Sequence, residues 1–168
     1  IKSYYYISRL LYENNKTLWD EYYFEGLDFI GNFLISVGRV TDGKKILLYA
    51  FNLIKDIYSI NENKWIEKYL KSLNSLAFAF NHFGENIEAI SLLEEGIMIA
   101  EKFFIKYPEK ESLLYLMILS NLAKCLTDFG ETSKSIELHN KYFSYVNKLY
   151  YENPKKWIEK YMLGLNNL

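Results

Sequence analysis

The sequence predicts an all-α protein, an α-solenoid in which antiparallel helix pairs repeat every 46 residues along a chain of 168. Two observations carry this prediction. The pentapeptide Trp-Ile-Glu-Lys-Tyr at 65–69 recurs unchanged at 157–161, two periods later. Between such markers, apolar residues follow one another at steps of three and four, which places them on one face of a helix. No window shows the sustained alternation of a strand, so we expect no β-structure.

The repeat divides the chain into three full units and two partial ones. Residues that recur at the 46-residue step or its double are Tyr23, Tyr69, Tyr115 and Tyr161; Leu27, Leu73, Leu119 and Leu165; Gly38, Gly84 and Gly130; Trp19, Trp65 and Trp157; and Pro108 and Pro154. We therefore predict one solenoid over 1–168. It comprises the end of a repeat at 1–14, repeats at 15–60, 61–106 and 107–152, and the start of a fourth at 153–168.

Each repeat is predicted to contain two long helices, called helix A and helix B below. In the second repeat, the apolar face of helix A consists of Leu73, Leu76, Ala77 and Phe80, and that of helix B of Ile87, Ile90, Leu93, Ile97 and Phe104. Gly84 between them indicates a helix stop and a tight turn. A proline near the next helix start closes the unit, because proline suits a first helical turn and not an interior. The expected helices span approximately 1–13, 17–37, 41–59, 63–83, 86–106, 109–129, 132–151 and 155–168.

The middle of each period resembles the tetratricopeptide repeat (TPR), whose pattern runs W-x2-L-G-x2-Y, then A-x3-F. The small residues of that pattern correspond to Gly31, Ala77 and Ala123 on helix A and to Gly43, Ala89 and Ser135 on helix B. Two helices cross closely only where neither side chain is large, so we expect the crossings at these positions. A second small position on helix B holds Ala50 and Gly96 but then Tyr142, and we expect the third repeat to pack less closely or to turn differently.

The long period and the sequences Asn74-Ser75-Leu76-Ala77 and Ser120-Asn121-Leu122-Ala123 are similar to the long-repeat TPR subclass. That subclass includes kinesin light chains and the repeat arrays of bacterial signalling and defence proteins. The resemblance implies a right-handed superhelix that serves as a protein-binding scaffold. It does not imply binding of chaperone tails, because the positions of their clamping cations hold Asp28, Ser75, Met117 and Asn121 here.

Composition excludes several classes of function. The net charge of −1 provides no basic field for a nucleic-acid backbone. The chain has a single cysteine, which rules out an internal disulfide framework and is typical of a reducing, cytoplasmic compartment. No apolar run is long enough to span a bilayer, so we expect no membrane partner. Because the chain begins at Ile1 without a methionine, we also expect it to be part of a longer protein.

The sequence offers no convergent catalytic or metal-binding set, and we predict neither an enzyme nor a cofactor. His82 and His139 belong to different repeats; we expect the first at the surface and the second partly buried. Cys125 is more typical of a small core residue than of a nucleophile. Glu94, Glu95 and Glu101 are expected to form a solvated face of helix B. The repeated tryptophans are expected to pack against the neighbouring repeat.

In TPR arrays helix A lines a concave groove, and the resemblance places the binding surface there. The candidate groove residues are Glu25, Asp28, Asn32, Ile35, Lys71, Asn74, Phe78, Asn81, His82, Met117, Ser120, Lys124, Thr127, Asp128 and Asn166. Asparagine recurs among them, and an amide both donates to and accepts from a peptide backbone.

Three hypotheses of function follow. The first is a scaffold that binds a protein or peptide in the groove. The second is the regulatory or sensor part of a larger signalling or defence protein. The third is an architectural solenoid that self-associates through apolar residues near Ile1–Leu10 and Tyr161–Leu168.

Overall fold

The computed structural model describes residues 6, 9–10, 12–106 and 108–167. Its helices are α1 (Lys16–Ser36), α2 (Val40–Ile60), α3 (Glu62–His82), α4 (Asn86–Lys106), α5 (Pro108–Phe129), α6 (Thr132–Glu152) and α7 (Pro154–Asn166). These bounds differ from the predicted ones by no more than two residues. Of the helix predicted at 1–13, the described residues 6, 9–10 and 12–13 are helical, and the rest lies outside the described part. The described residues contain no strand, which confirms the all-α prediction.

The helices form two compact units, Ile1–Glu85 and Asn86–Leu168. In the first, called the N-terminal unit, α1, α2 and α3 pack in order, and α1 also touches α3. In the second, the C-terminal unit, α5 packs on α4, α6 on α5 and α7 on α6. Helices that are neighbours in sequence are therefore neighbours within each unit, as an array of antiparallel helix pairs requires.

The glycine turns end helix A in the same way in all three full repeats. Gly38, Gly84 and Gly130 have φ angles of 81°, 73° and 92°. At the first of these turns, the Arg39 amide donates to the Leu34 carbonyl at 2.8 Å and the Gly38 amide donates to the Ile35 carbonyl at 3.0 Å. This is the Schellman pattern, which satisfies the last carbonyls of a helix. The predicted placement of these glycines in equivalent turns is confirmed.

Asparagine caps mark the start of two A helices. The side chain of Asn61 accepts a hydrogen bond from the Lys64 amide at 3.2 Å, and Asn153 accepts one from the Lys156 amide at 3.2 Å. Each cap satisfies one of the amides that a helix start leaves unpaired. Pro154 occupies the first helical position after Asn153, where its missing N–H costs nothing.

The A and B helices cross closely at the small residues that the TPR pattern singles out. A methyl group added to Gly43 on α2 would lie 2.6 Å from the backbone oxygen of Gly31 on α1. On the C-terminal unit, the Ser135 hydroxyl of α6 donates to the Ala123 carbonyl of α5 at 2.8 Å. A side chain larger than serine would not leave the two backbones this close, so the prediction of small residues at these crossings is confirmed.

Aromatic pairs with the same 46-residue spacing join the end of one repeat to the next helix A. Tyr12 stacks on Tyr23 with ring centroids 4.6 Å apart, and its equivalent Tyr58 stacks on Tyr69 at 4.5 Å. In the C-terminal unit, Tyr150 stacks on Tyr161 at 4.3 Å. Stacked aromatic pairs add to the hydrophobic burial of their rings. The recurrence of tyrosine at these positions is therefore a packing feature.

The tryptophans behave as predicted where they are described. Trp65 is buried, and its ring lies edge-on to Phe24 of the preceding repeat at 6.0 Å. Trp157 is also buried. The side chain of Trp19 lies outside the described part of the chain.

The predicted apolar face of α4 is wrong at Ile87. This residue is exposed, whereas Ala89 and Leu93 are fully buried. Six residues separate Ile87 from Leu93, which turns the two side chains about 120° apart at 3.6 residues per turn. The side chain of Phe104, also assigned to this face, lies outside the described part.

Tyr142 on α6, the large residue at which the third repeat departs from the pattern, is buried against the next helix. Tyr142 is only 3 % exposed. Its ring packs closely on Gly164 of α7, because a methyl group added to Gly164 would lie 3.2 Å from a ring carbon of Tyr142. The large residue on α6 is therefore matched by a glycine on the next helix A. At the corresponding places in the N-terminal unit stand Ala50 and Ser72.

The close crossing predicts that Gly43→Ala destabilises the protein. Alanine has the higher helix propensity by about 1 kcal/mol, but its methyl group requires a backbone shift, and overpacking costs about 1–3 kcal/mol. We expect a lower melting temperature by circular dichroism. Asn52→Ala, an exposed change on the same helix, is the control and should melt at or above the wild type. A Gly43→Ala variant that melts at or above the wild type would contradict the crossing.

Candidate binding cavity on the A-helix face

The predicted groove residues do not share one environment. Glu25, Lys71, His82, Lys124, Asp128 and Asn166 are exposed, whereas Asp28, Asn32, Phe78, Asn81 and Ser120 are half-buried. Four of them, Glu25, Asp28, Asn32 and Lys71, line one cavity in the N-terminal unit. Ser120 lines a smaller cavity in the C-terminal unit. The structure therefore selects two local sites from the predicted surface.

The larger cavity lies between α1 and α3 and reaches α2. Its volume is about 310 Å³, at the lower end of the range for small-ligand pockets. The lining residues are Phe24, Glu25, Asp28, Phe29, Asn32, Ala50, Lys68, Lys71 and Ser72. Phe24, Ala50 and Ser72 are buried and form its inner wall, whereas the exposed Phe29 lies at its rim. The cavity thus combines aromatic walls with polar groups from two A helices.

Two oxygen atoms in this cavity are buried and have no hydrogen-bond partner. They are Oδ1 of Asp28 and Oγ of Ser72. Ser72 is only 7 % exposed. A buried polar atom without a partner loses its hydration and gains nothing in exchange, so such atoms are rare in folded proteins. Both oxygens belong to residues that line the same cavity.

The other polar groups around Asp28 are already paired. Nδ2 of Asn32 donates to the backbone oxygen of Asp28 at 2.9 Å and to Oγ of Ser75 at 3.2 Å. These contacts hold the amide of Asn32 across α1 and α3. They leave the free carboxylate oxygen and the Ser72 hydroxyl as the unsatisfied groups of the cavity.

Burial dominates the electrostatics of Asp28. It raises the pKa of the carboxyl above its ordinary value, while hydrogen bonds from Ser75 and Asn32 and the charges of Lys71 and Lys68 lower it by less. The ionised form of the Asp28 carboxyl is therefore destabilised by its burial. A cationic or hydrogen-bond-donating group beside it would favour the charged form.

The two lysines at the cavity have acidic partners of their own. Nζ of Lys68 lies 3.2 Å from Glu21 and also pairs with Glu25. Burial lowers the pKa of Lys68, but hydrogen bonds to Glu25 and Glu21 and their charges outweigh it and leave the pKa raised. Nζ of Lys71 lies 2.6 Å from Glu67. Neither ammonium group is thus a ready partner for Asp28.

The C-terminal unit carries the equivalent cavity 92 residues later, with a different interior. It lies between α5 and α7 and has a volume of about 120 Å³. Tyr142 replaces Ala50 and fills space that is open in the N-terminal unit, and Ser120 replaces Asp28. The same scaffold position therefore gives an open cavity with a carboxylate in one unit and a small cavity with a serine in the other, where Lys160 is the charged residue of the lining.

Two of the predicted groove assignments are wrong. Asn74 is buried at 8 % exposure, although it was expected on the open face. Ile35 is buried at the α1–α2 crossing, where a methyl group on Gly43 would meet its side chain at 2.7 Å. Thr127, by contrast, is exposed, although its hydroxyl also lies 2.7 Å from that of Ser135. These helices are closely covered by their B partners, so the open face is narrower than helical spacing alone suggests.

Glu101, predicted on a solvated face, is partly exposed and also has two hydrogen-bond partners. It accepts hydrogen bonds from the Tyr115 hydroxyl at 3.1 Å and from Lys141 at 2.5 Å. The bond from Lys141 is the main reason that the pKa of Glu101 lies below its ordinary value. Glu94 is exposed, as predicted.

Sequence reasoning missed most of the inner wall of the larger cavity. Phe24, Ser72 and Lys68 were not assigned to a site, and Ala50 was noted only as a small packing residue. The signal was available in the comparison of Ala50 with Tyr142, because a large change of volume at one repeat position predicts a void or a matching change nearby. Only the structure shows which of these occurs in each unit.

The cysteine and the two histidines show no arrangement typical of a catalytic or metal-binding site within the described residues. Cys125 is buried at 3 % exposure, and burial raises the pKa of its thiol to about 11. His139 is half-buried, and burial lowers its pKa. His82 is exposed and lies edge-on to Phe78 at 4.4 Å. Within the described residues, no three His, Cys, Asp or Glu side chains are placed to share a metal ion.

No helix in the described part of the chain has the length and apolar character needed to cross a bilayer. Comparison with protein-family models, with curated proteins and with solved structures finds no match to this chain.

The buried carboxylate predicts an unusual pH dependence of stability. The pKa of Asp28 is higher in the folded than in the unfolded state. At a pH between these two pKa values, the folded chain therefore holds a proton that the unfolded chain has lost. The free energy of unfolding accordingly decreases as the pH rises through this range. Asp28→Asn should therefore raise the melting temperature at pH 7, with a gain that shrinks toward pH 4. The control is Asp56→Asn, an exposed change on α2, which should show no such trend. A lower melting temperature of Asp28→Asn at pH 7 would mean that the hydrogen bonds outweigh burial.

Because Cys125 is buried, we expect its thiol to react slowly in the folded protein. A thiol-specific disulfide reagent should react at least about a hundredfold more slowly with the folded chain than after unfolding in urea, because both access and thiolate content are low. Cys125 is the single cysteine, so the signal is unambiguous. In a Cys125→Ala background, Lys124→Cys presents an exposed thiol on the same helix and should react rapidly. Equal rates for the two thiols would contradict the placement.

Proposed function

We propose that this chain is a protein- or peptide-binding scaffold that uses the A-helix face of each unit. The observation that carries the proposal is the cavity between α1 and α3, in which Oδ1 of Asp28 and Oγ of Ser72 have no partner. Buried polar atoms without partners are rare and call for an explanation, and solenoids bind through the face that their repeated helices line. The scaffold acts without a cofactor, and its partner is a protein or peptide and not nucleic acid or membrane.

Exposed aromatic residues beside the cavity support a macromolecular partner. Phe29 is 63 % exposed and stacks on Phe33 with ring centroids 6.4 Å apart. Aromatic side chains are enriched at the centres of protein interfaces, where they contribute large contact area at low entropic cost. Lys71, which lines the same cavity as Phe29, is exposed and pairs with Glu67.

We also propose that the repeats form the right-handed superhelix of TPR proteins and that the protein is cytoplasmic. The equivalent Schellman turns and the close crossings at small residues support the first part of this proposal. The role of a regulatory or sensor part within a larger signalling or defence protein is compatible with the same binding face. Self-association is supported by the exposed apolar residues Ile158, Met162 and Leu165 of α7.

The proposal is tested by panning a random peptide display library on the chain and measuring the affinity of selected peptides. The double variant Phe29→Ala/Lys71→Ala removes an exposed aromatic and an exposed lysine from the A-helix face. We expect binding at least about tenfold weaker, since truncating an aromatic hot spot costs about 2 kcal/mol.

The matched control is Tyr49→Ala/Lys45→Ala, which removes the same two residue types from the exposed side of α2. It should leave affinity within about twofold of the wild type. Failure to enrich any peptide, or equal losses in both double variants, would refute binding through the A-helix face.

A further inference from the structure

The lysines that line the cavity between α1 and α3 act on the carboxylate of Asp28 through their charge, but neither forms an ion pair with it. Asp28 belongs to none of the ion pairs within 4 Å among the described residues, and its Oδ1 has no hydrogen-bond partner. Lys68 and Lys71, which line the same cavity, pair with Glu21, Glu25 and Glu67 instead. A bound anion would have to displace those carboxylates, whereas a bound cation would meet an unpaired acceptor.

We propose that this cavity is an anchor pocket for one basic side chain, arginine or lysine, of a bound peptide. The inference rests on the proposed function and adds to it the chemistry of the recognised residue. A guanidinium or ammonium group carries several N–H donors and no acceptor. Asp28 and Ser72, whose oxygens Oδ1 and Oγ are buried without partners, both line the cavity, so such a group would lie against residues that still have acceptors to offer.

The walls of the cavity suit the rest of such a side chain. Phe24 and Phe29 line it together with Ala50, so its surface is aromatic and apolar apart from the acceptors. Arginine and lysine have apolar stems that pack on such surfaces while their charged ends reach polar groups. Cations also bind favourably to aromatic faces. A volume of about 310 Å³ accommodates a single long side chain.

The C-terminal unit supplies an internal comparison for this assignment. At the equivalent positions, Tyr142, Ser120 and Gly164 stand in place of Ala50, Asp28 and Ser72. The space is reduced, and both unpartnered acceptors are gone from their places. The pocket is therefore a property of three particular residues in the N-terminal unit and not of the repeat scaffold in general.

Binding of a cation should weaken as the pH falls, because protonated Asp28 attracts it less. Burial raises the pKa of this carboxyl. The charged groups that line the same cavity are Glu25 on α1 and Lys68 and Lys71 on α3, whereas α2 contributes the uncharged Ala50. A basic side chain should in turn lower the pKa of Asp28 by stabilising its ionised form.

The experiment is an NMR titration of the full chain with capped amino-acid amides as probes. N-acetyl-arginine amide and N-acetyl-lysine amide are the cationic probes. The neutral probes of similar shape are N-acetyl-citrulline amide and N-acetyl-norleucine amide. We expect saturable shifts of the Asn32 side-chain amide signal with at least one cationic probe, at concentrations at least about tenfold lower than with its neutral counterpart.

Variants assign the binding to the pocket. Asp28→Asn should lower the affinity for the cationic probe at least about tenfold. Asp56→Asn removes the same charge from an exposed position on α2 and should leave the affinity unchanged. Ala50→Tyr/Ser72→Gly copies the interior of the C-terminal unit and should abolish binding. Tyr142→Ala opens the C-terminal cavity without providing a carboxylate and should create no second site. If Ala50→Tyr/Ser72→Gly does not fold, Asp28→Asn decides the question.

Three results would overturn the anchor pocket: no binding of either cationic probe, equal binding of cationic and neutral probes, or unchanged binding in Asp28→Asn. Failure of this inference is distinguishable from failure of the proposed function. Suppose that the selected peptides contain no basic residue but still bind Phe29→Ala/Lys71→Ala more weakly than the wild type. The proposed binding through the A-helix face would then stand, and the anchor pocket for a basic side chain would be refuted.

Discussion

The close approach of helix A and helix B at small residues is the constraint on which the rest of each unit depends. At Gly31 and Gly43 the backbones of α1 and α2 come so near that a single methyl group would collide with a carbonyl oxygen. Because α2 is held this close to α1, Ala50 further along α2 reaches the space between α1 and α3. The crossing that stabilises the helix pair thus also sets the depth of the cavity.

The same scaffold position gives different interiors because packing is compensated between neighbouring helices. Tyr142 packs against Gly164, so a large residue on α6 is matched by a small one on α7. In the N-terminal unit, Ala50 and Ser72 are both small, and the volume they leave is open. Repeating residues therefore build the framework, whereas residues that break the repeat create a site within it.

Two polar groups in the cavity wall lower the free energy of unfolding. A carboxylate whose pKa is raised by burial and a serine hydroxyl without a partner both lower the stability of the folded state. Binding sites commonly retain such groups because a ligand satisfies them, and stability is then traded against recognition. The neighbouring Lys68 pairs with Glu21 and Glu25, and Lys71 pairs with Glu67, so neither lysine forms an ion pair with Asp28.

The sequence by itself determined the helices, their order, the glycine turns and the small residues at the crossings, because each depends on local spacing or on a period of 46 residues. It also placed Asp28, Asn32 and Lys71 on the face that the cavity occupies. Only the tertiary structure decided that Asn74 and Ile35 are buried, that Gly164 makes room for Tyr142, and that Ser72 joins Asp28 in one cavity. Spacing along one helix gives the direction of a side chain, but volume and partners are set by residues one or two helices away.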